Sequence, residues 1–553
     1  MTIHTRPDSD HRRSRKQPEP MDPTTIDDLL RAAVEHDPDA LALADAPNRS
    51  TYFSGGPTRL SWAELDASVD ALAADLTGLG AGPGAPVAIQ LPNVTELVIT
   101  LLACWRSGAT AVPFPIQHRS HELTHGLAVS RPALFVTGAR PDRPDLVEEI
   151  ATVIASHPGE IVLAAFDDGS GEDATAGVER LALRTDGRRF EGVGAPDDVA
   201  TVCWTSGTTG TPKGVPRTNA MWLTAGHFQL DQLGLSRDDR ILCPFPIVNM
   251  AGIGGMLVPW LLSGGAFHLH QPLDLPVFLQ QVSSEQITYT VAPPPLLNML
   301  LANAPLLDSV DTSSLRRIGS GSAPLDPGMV AGWQERGVEI VNIFGSNEGA
   351  AMLSTAATVP DPAQRARFFP RPTGSGILAR LVDLTSGEEI TSSGTVGELR
   401  FAGPTVFDGY LESDGSEFDD DGYFRTGDLF EWVDEPPTLM RFVDRAKDIV
   451  IRGGMNISAA EVEGLLSGHP SVGECAVVGY PDADLGERLG VFVVATPDTQ
   501  PTLDELIGHL RGLGVASYKL PERMDVVDAL PRNPVGKVTK PDLRARWAPS
   551  AQA

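Results

Sequence analysis

Thr205-Ser206-Gly207-Thr208-Thr209-Gly210-Thr211-Pro212-Lys213-Gly214 follows the apolar run Val199-Ala200-Thr201-Val202-Cys203-Trp204, which has strand length and β-branched character. Five hydroxyl side chains, three glycines and one lysine therefore stand at the end of an expected strand. Glycine lets the backbone turn tightly and bring its N–H groups close to an anion. Serine and threonine add O–H donors, and Lys213 adds a full positive charge. The set suits a polyphosphate. Its spacing is not that of a Walker loop, because no Gly-Lys-Ser/Thr closes it after four intervening residues. A Gly/Ser/Thr-rich surface turn is the other reading of these ten residues taken alone.

Downstream, Ser458-Ala459-Ala460-Glu461 reads as a capping box and Thr502 as the cap of a helix reaching Leu513; upstream, Ser61-Trp62-Ala63-Glu64 reads as a capping box too. Leu65, Val69, Leu72 and Leu76 then mark one apolar helix face, ended by Gly78 and Gly80. Strands are expected at residues 87–91, 133–137 and 161–166, with helices at 94–105 and 221–233. Strands alternating with helices imply an α/β domain with a largely parallel sheet, which binds ligands at the carboxyl ends of its strands.

Residues 205–214 resemble the phosphate loop of the adenylate-forming superfamily: acyl-CoA synthetases, peptide-synthetase adenylation domains and luciferases. Further stretches are similar to the same family's other motifs, and together they reach from about Leu60 to Arg544. Arg317-Ile318-Gly319-Ser320-Gly321-Ser322-Ala323-Pro324 resembles the adenine-contacting turn. Phe344-Gly345-Ser346-Asn347-Glu348-Gly349 is similar to the aromatic-Gly-x-Thr-Glu motif, with Asn347 in place of the usual threonine. Gly397-Glu398-Leu399-Arg400-Phe401-Ala402-Gly403 and Asp408-Gly409-Tyr410 resemble a structural β motif and carry no expected chemistry. Gly422-Tyr423-Phe424-Arg425-Thr426-Gly427-Asp428 contains the ribose-binding aspartate by resemblance. Asp444-Arg445-Ala446-Lys447-Asp448 resembles the interdomain hinge, and Arg452-Gly453-Gly454-Met455-Asn456 the thioester-forming loop. Pro531-Arg532-Asn533-Pro534-Val535-Gly536-Lys537-Val538 matches the C-terminal lysine motif.

The resemblance implies a tail at residues 1–23, an N-terminal adenylation domain at 24–443 and a mobile C-terminal α+β domain at 444–553. The large domain is expected to hold layered α/β subdomains and a β-barrel-like subdomain. It further implies that Thr205, Ser206, Gly207, Thr208, Thr209, Gly210 and Lys213 grip the phosphates of ATP. Ser322, Ala323, Pro324, Phe344, Gly345 and Asn347 would surround the nucleotide, with Asp428 and Arg445 on its ribose. An amide N–H of Asn347 is expected to replace the threonine as a donor to phosphate. Glu348 would hold Mg²⁺, which takes hard oxygen ligands and is often bound by one carboxylate plus phosphates.

The acid pocket implied by resemblance comprises Phe228, Asn249, Met250, Ile253, Gly321, Gly345 and Met352, with Trp222 as a further wall; residues of the type of Trp222, Phe228, Met250, Ile253 and Met352 are individually more often ordinary core than pocket. Asn249 stands where acyl-CoA synthetases usually carry a histidine. Amino-acid-activating relatives place an aspartate near here, and residues 245–249 contain none. A buried ammonium without a counter-charge is costly, which points to a plain carboxylic acid. Glycines 252, 254 and 255, with Ala350 and Ala351, leave room for an apolar, aryl or bulky acid, or serve as turn and packing residues.

The implied chemistry is attack of a carboxylate on the α-phosphate of ATP, then thiol attack on the acyl-adenylate. Two like charges about 4 Å apart repel by roughly 4 kcal/mol at an effective dielectric near 20. Lys537 is expected to offset that repulsion, with Glu348 and Thr205 as the other catalytic residues. The second step is expected to follow a swing about Lys447 that presents Gly453 and Gly454 as a channel for CoA. A carrier protein or partner ligase is the alternative acceptor; a nucleotide-binding protein without turnover is a third reading.

The formal charge of −29 argues against nucleic acid and anionic membranes as partners. Cys104, Cys203, Cys243 and Cys475 lie far apart among apolar neighbours, with no metal or disulfide spacing, so small core residues in a cytoplasmic protein are expected. The first 23 residues carry no apolar run of a signal peptide, and apolar runs at 97–105 and 253–262 are too short for a membrane span.

Overall fold

The run before the hydroxyl-rich stretch forms the strand Val199–Thr205 in a computed structural model of the chain. The structure describes residues 25–166, 177–205, 212–321, 323–372, 376–446, 448–452, 455–482, 485–513, 515, 517–533 and 537–547. Six of that strand's seven residues are buried, as in a sheet covered on both faces. The strand belongs to a seven-stranded sheet ordered Val178–Leu181, Val162–Phe166, Leu134–Gly138, Pro86–Ile89, Thr110–Pro113, Val199–Thr205, Lys213–Thr218. Neighbours run parallel except the last pair, which is antiparallel.

A second sheet has eight strands, in the order Ala351–Ser354, Glu339–Gly345, Arg317–Gly321, Tyr289–Val291, Arg240–Cys243, Ala266–Leu269, Leu41–Ala44, Arg59–Ser61. Its interior is parallel and both edges are closed by antiparallel strands. The capping box at Ser61 and Glu64 is formed in both directions and opens the helix Trp62–Gly78. Leu65, Val69, Leu72 and Leu76 are buried along one face of it, as their spacing requires.

The chain packs as two compact units, Met1–Leu378 with Phe401–Phe424, and Ala379–Arg400 with Arg425–Ala553. Asp444, the first residue of the expected C-terminal domain, lies within the second unit. Its carboxylate accepts hydrogen bonds from Ser458 Oγ (2.9 Å) and Ala460 N (3.0 Å), tying the strand Leu439–Arg445 to the helix Ala459–Leu466. Ser458 caps that helix by accepting from Glu461 N, but the reciprocal half of the expected box is absent, because Glu461 pairs with Lys519 at 2.7 Å instead.

The second unit also carries the strands Met455–Ile457, Val450–Arg452, Gly486–Ala495, Val472–Asp482 and Arg523–Val526 in one sheet. The helix Lys540–Trp547 seats Trp547 on Phe492, with ring centroids 4.0 Å apart. Gly490 lies beneath that indole; a Cβ there would come within 2.1 Å of it. Burial pushes the Cys203 thiol up to about 11 and those of Cys104, Cys243 and Cys475 up to about 12, which suits unreactive packing residues. Among the described residues no helix is long and apolar enough to cross a membrane.

Candidate functional site

Thr205 ends the strand Val199–Thr205 and pairs in register with Lys213, which begins the strand Lys213–Thr218. The phosphate-loop candidates Ser206, Gly207, Thr208, Thr209 and Gly210 lie outside the described residues, between these two ends. At the exit, His125 Nε2 stands 2.9 Å from the Pro212 carbonyl. A carbonyl only accepts, so this nitrogen carries the proton.

Lys213 Nζ lies 4.6 Å from the centroid of the Tyr410 ring, and the Tyr410 hydroxyl donates to Glu348 Oε1 at 2.7 Å. A cation, an aromatic face and a carboxylate thus form one connected group beside the C-terminal end of a sheet strand. The segment carrying Tyr410 is pinned to both neighbours: Leu411 N donates to Gly214 O (2.9 Å), and Phe407 N to Glu348 O (2.9 Å). Burial, then the Glu348 charge and its hydrogen bond, push the Tyr410 phenol far above its ordinary value, so it remains a donor. The Asp408-Gly409-Tyr410 stretch, which carries no expected chemistry, gives no local signal of this contact, because it spans 62 residues of sequence.

Glu348 and Asn347 sit on the tight turn between the strands Glu339–Gly345 and Ala351–Ser354. Ser346 N donates to Ala350 O, and Gly349 N to Ser346 O. Gly349 has φ of +100°, and a Cβ there would lie 1.8 Å from Thr405 O, so only glycine fits. Arg217 is fully buried beneath this turn; it donates to Asn347 O (3.1 Å) and Thr405 O (2.8 Å) and lies 4.5 Å from the Trp222 ring. The Asn347 side chain bridges two backbone groups. Its amide nitrogen donates to Trp204 O at 3.0 Å and its oxygen accepts from Met250 N at 2.8 Å.

Among the described residues no group of three or more metal-ligating side chains is present. Glu348, 8% exposed, offers a single hard carboxylate. That donor fits Mg²⁺ carried in with a triphosphate, which needs few protein ligands.

Phe344 is half-buried, stands edge-on to Phe369 and pairs in register with Met352. Gly345, Ala323 and Pro324 are exposed, and Ser322 lies outside the described residues. Of the acid-pocket candidates, Asn249, Met250 and Gly321 are half-buried. Ile253 at 0% and Met352 at 1% exposure are packed into the core, as is Trp222, and Phe228 is nearly so. All four have apolar surface that the core takes up.

Gly252 and Gly254 are likewise packing residues. A Cβ would meet Pro246 O at 2.4 Å in the first and Met250 Sδ at 2.6 Å in the second. A Cβ at Gly255 would meet, among the described residues, only Met250 O at 3.7 Å, an ordinary contact. Asn249 Oδ1 accepts from Gly252 N, and its carbonyl from Ile253 N, starting a π-helical turn at Ile253–Leu257. Pro259 lies in the first turn of the α-helix Val258–Ser263 that follows, where its missing N–H costs nothing.

In the second unit, Asp428 and Arg445 are register partners on adjacent strands, with Arg445 Nε 3.0 Å from Asp428 Oδ1. Lys447, Gly453 and Gly454 lie outside the described residues. Lys537 is exposed on a closed turn: its N–H donates to Asn533 Oδ1 and its carbonyl accepts from Asn533 N, both at 2.8 Å. Asn533 thus holds Lys537 through both its side chain and its backbone N–H.

A family model of AMP-binding enzymes matches residues 30–411, and one of the AMP-binding enzyme C-terminal domain matches residues 461–537. The chain belongs to the AMP-binding enzymes of the adenylate-forming superfamily and is an AMP-forming ligase. Feruloyl-CoA synthase of Amycolatopsis sp is 31% identical to it over 512 residues, covering 91% of this chain and 96% of that one. Salicyl-AMP ligase / salicyl-S-ArCP synthetase of Mycobacterium tuberculosis is 31% identical over 540 residues, covering 93% and 89%. ATP-bound MatB from Rhodopseudomonas palustris shares the fold with a TM-score of 0.80 at 27% identity, covering 95% of this chain and 99% of that one.

Proposed function

We propose that this chain activates a plain carboxylic acid with ATP, releasing pyrophosphate, and transfers the acyl group from AMP to the thiol of CoA. The observation that carries this reading is the Lys213–Tyr410–Glu348 group at the mouth of the strand ending in Thr205. A cation and a carboxylate held by one phenol are suited to gripping the outer phosphates of ATP.

Each residue then has a task. Thr205 and Lys213, with the loop between them, hold the phosphates. Glu348 is the ligand for Mg²⁺, which when bound neutralises charge on the triphosphate and on departing pyrophosphate. Asp428 and Arg445 hold the ribose hydroxyls, the carboxylate accepting from them. Lys537 supplies the ammonium that lets carboxylate and α-phosphate meet, and no side-chain nucleophile is needed. Asn249, Met250, Gly321 and Gly345, which keep accessible surface, contact the acid. The aryl acids named for the relatives support an aryl substrate.

The deciding experiment incubates the protein with ATP, Mg²⁺ and a panel of aryl, aliphatic and amino acids, with and without CoA, reading acyl-AMP and acyl-CoA by mass spectrometry. Acyl-CoA formed only when CoA is present supports the proposal. Acyl-AMP that accumulates unchanged by CoA supports the second reading, transfer to a carrier protein, which the salicyl-S-ArCP synthetase relative favours. No pyrophosphate release with any acid sinks both.

Tyr410→Phe keeps the ring under Lys213 and removes the donor to Glu348. A hydrogen bond to a charged group is worth about 1.5–3 kcal/mol, so kcat/KM for MgATP is expected to fall roughly 10- to 100-fold. Steady-state pyrophosphate release checks this; an unchanged constant removes Tyr410 from the site.

A further inference from the structure

We infer that Asn347 is a positioning residue that couples the acid-binding loop to the phosphate loop, a role resting on the function proposed above. Its amide joins two segments that belong to different sheets. Trp204, whose carbonyl accepts from Asn347 Nδ2, is the penultimate residue of the strand that leads into the phosphate loop. Met250, whose N–H donates to Asn347 Oδ1, lies in the loop after Arg240–Cys243, a strand of the other sheet. The orientation of the amide is determined by its partners, since a backbone N–H only donates and a backbone carbonyl only accepts.

The bracket itself is rigid. The Asn347 carbonyl accepts from the buried Arg217, and the adjoining Gly349 is closed down against Thr405 O. Glu348 follows directly in sequence, so displacement of Met250 or of Trp204 is transmitted to the residue assigned to Mg²⁺. Asn249, beside Met250, turns the same loop through Gly252 N. A threonine at position 347, usual in the motif, has one short oxygen branch and lacks the two-armed reach of an amide. The two departures from the motif at 249 and 347 therefore act on one loop.

The test needs no identified acid. Hydrogen exchange is followed by mass spectrometry in the full-length protein, with and without MgATP. In the natural sequence, MgATP is expected to slow exchange about tenfold both in residues 199–218 and in residues 246–255. At MgATP concentrations raised to saturate the variant, Asn347→Ala is expected to show the first protection and lose the second. Asn347→Asp keeps an acceptor for Met250 N–H but turns an oxygen toward Trp204 O. It is expected to protect the Met250 amide in the free protein yet still lose the response to MgATP. A residue that merely supports the fold would raise exchange in both regions alike, and that result overturns the inference. So does full nucleotide-dependent protection of residues 246–255 in Asn347→Ala. Absence of protection at 199–218 in the natural sequence instead overturns the nucleotide site itself, and the inference with it.

Discussion

Lys537→Ala is expected to lower acid-dependent pyrophosphate release by at least ~10²-fold, the scale for removing one donor that acts in the transition state. Two hydrogen bonds that tie Lys537 to Asn533 do not depend on the side chain that the substitution removes. Lys537 N donates to Asn533 Oδ1 and Asn533 N donates to Lys537 O, and neither bond uses the ammonium. The following helix is held independently, by Lys540 on Glu463 (2.9 Å), Arg544 on Asp448 (2.9 Å) and Trp547 on Phe492. Thioester formation from supplied acyl-adenylate is expected to fall much less, since carboxylate and phosphate no longer have to be brought together. Near-normal pyrophosphate release in the variant would refute the role. Equal loss in both half-reactions would refute the division of labour between them.

Arg106→Leu is expected to cost the first unit about 3–5 kcal/mol, the range for leaving buried charges without their partner. Arg106 is fully buried and is held by three carboxylates: Asp27 at 2.7 Å, Asp66 at 2.6 Å and Asp70 at 2.7 Å. Arg31 and Arg189 complete the outer side of the cluster. The planar guanidinium presents donors in several directions at once, which an ammonium cannot, so Arg106→Lys is expected to recover only part of the stability. Thermal unfolding followed by scanning calorimetry measures this: the leucine variant should lower the first transition by several degrees, with the lysine variant between. An unshifted first transition in Arg106→Leu would show that the cluster contributes nothing net. Nothing near Arg106 in sequence announces three acidic partners, the furthest of them 79 residues away.

Local signals were readable where one short segment sets its own geometry. Ser61 and Glu64 form their box as written, and Thr502 with Glu505 does the same. The box at Ser458 failed by half because Lys519, far along the chain, outcompetes the cap for Glu461. Acid-pocket residues were the least legible. Phe228, Ile253 and Met352 have the composition of a pocket wall, but composition does not distinguish a wall from a core, and the core holds them. Glycines 252 and 254 read equally as space or as packing residues; each is the point where a carbonyl or a thioether approaches too closely for any Cβ.

The order and identity of the motifs, the α/β class and the family follow from the linear chain, because each motif is a contiguous run whose residue types suit one chemical task. Pairings across the chain belong to the tertiary structure alone. Tyr410 reaches Glu348, Asn347 spans Trp204 and Met250, and Asp428 meets Arg445 only because strands distant in sequence are brought into register. Hydrogen bonds act over about 3 Å, whereas sequence order constrains position only over a few residues.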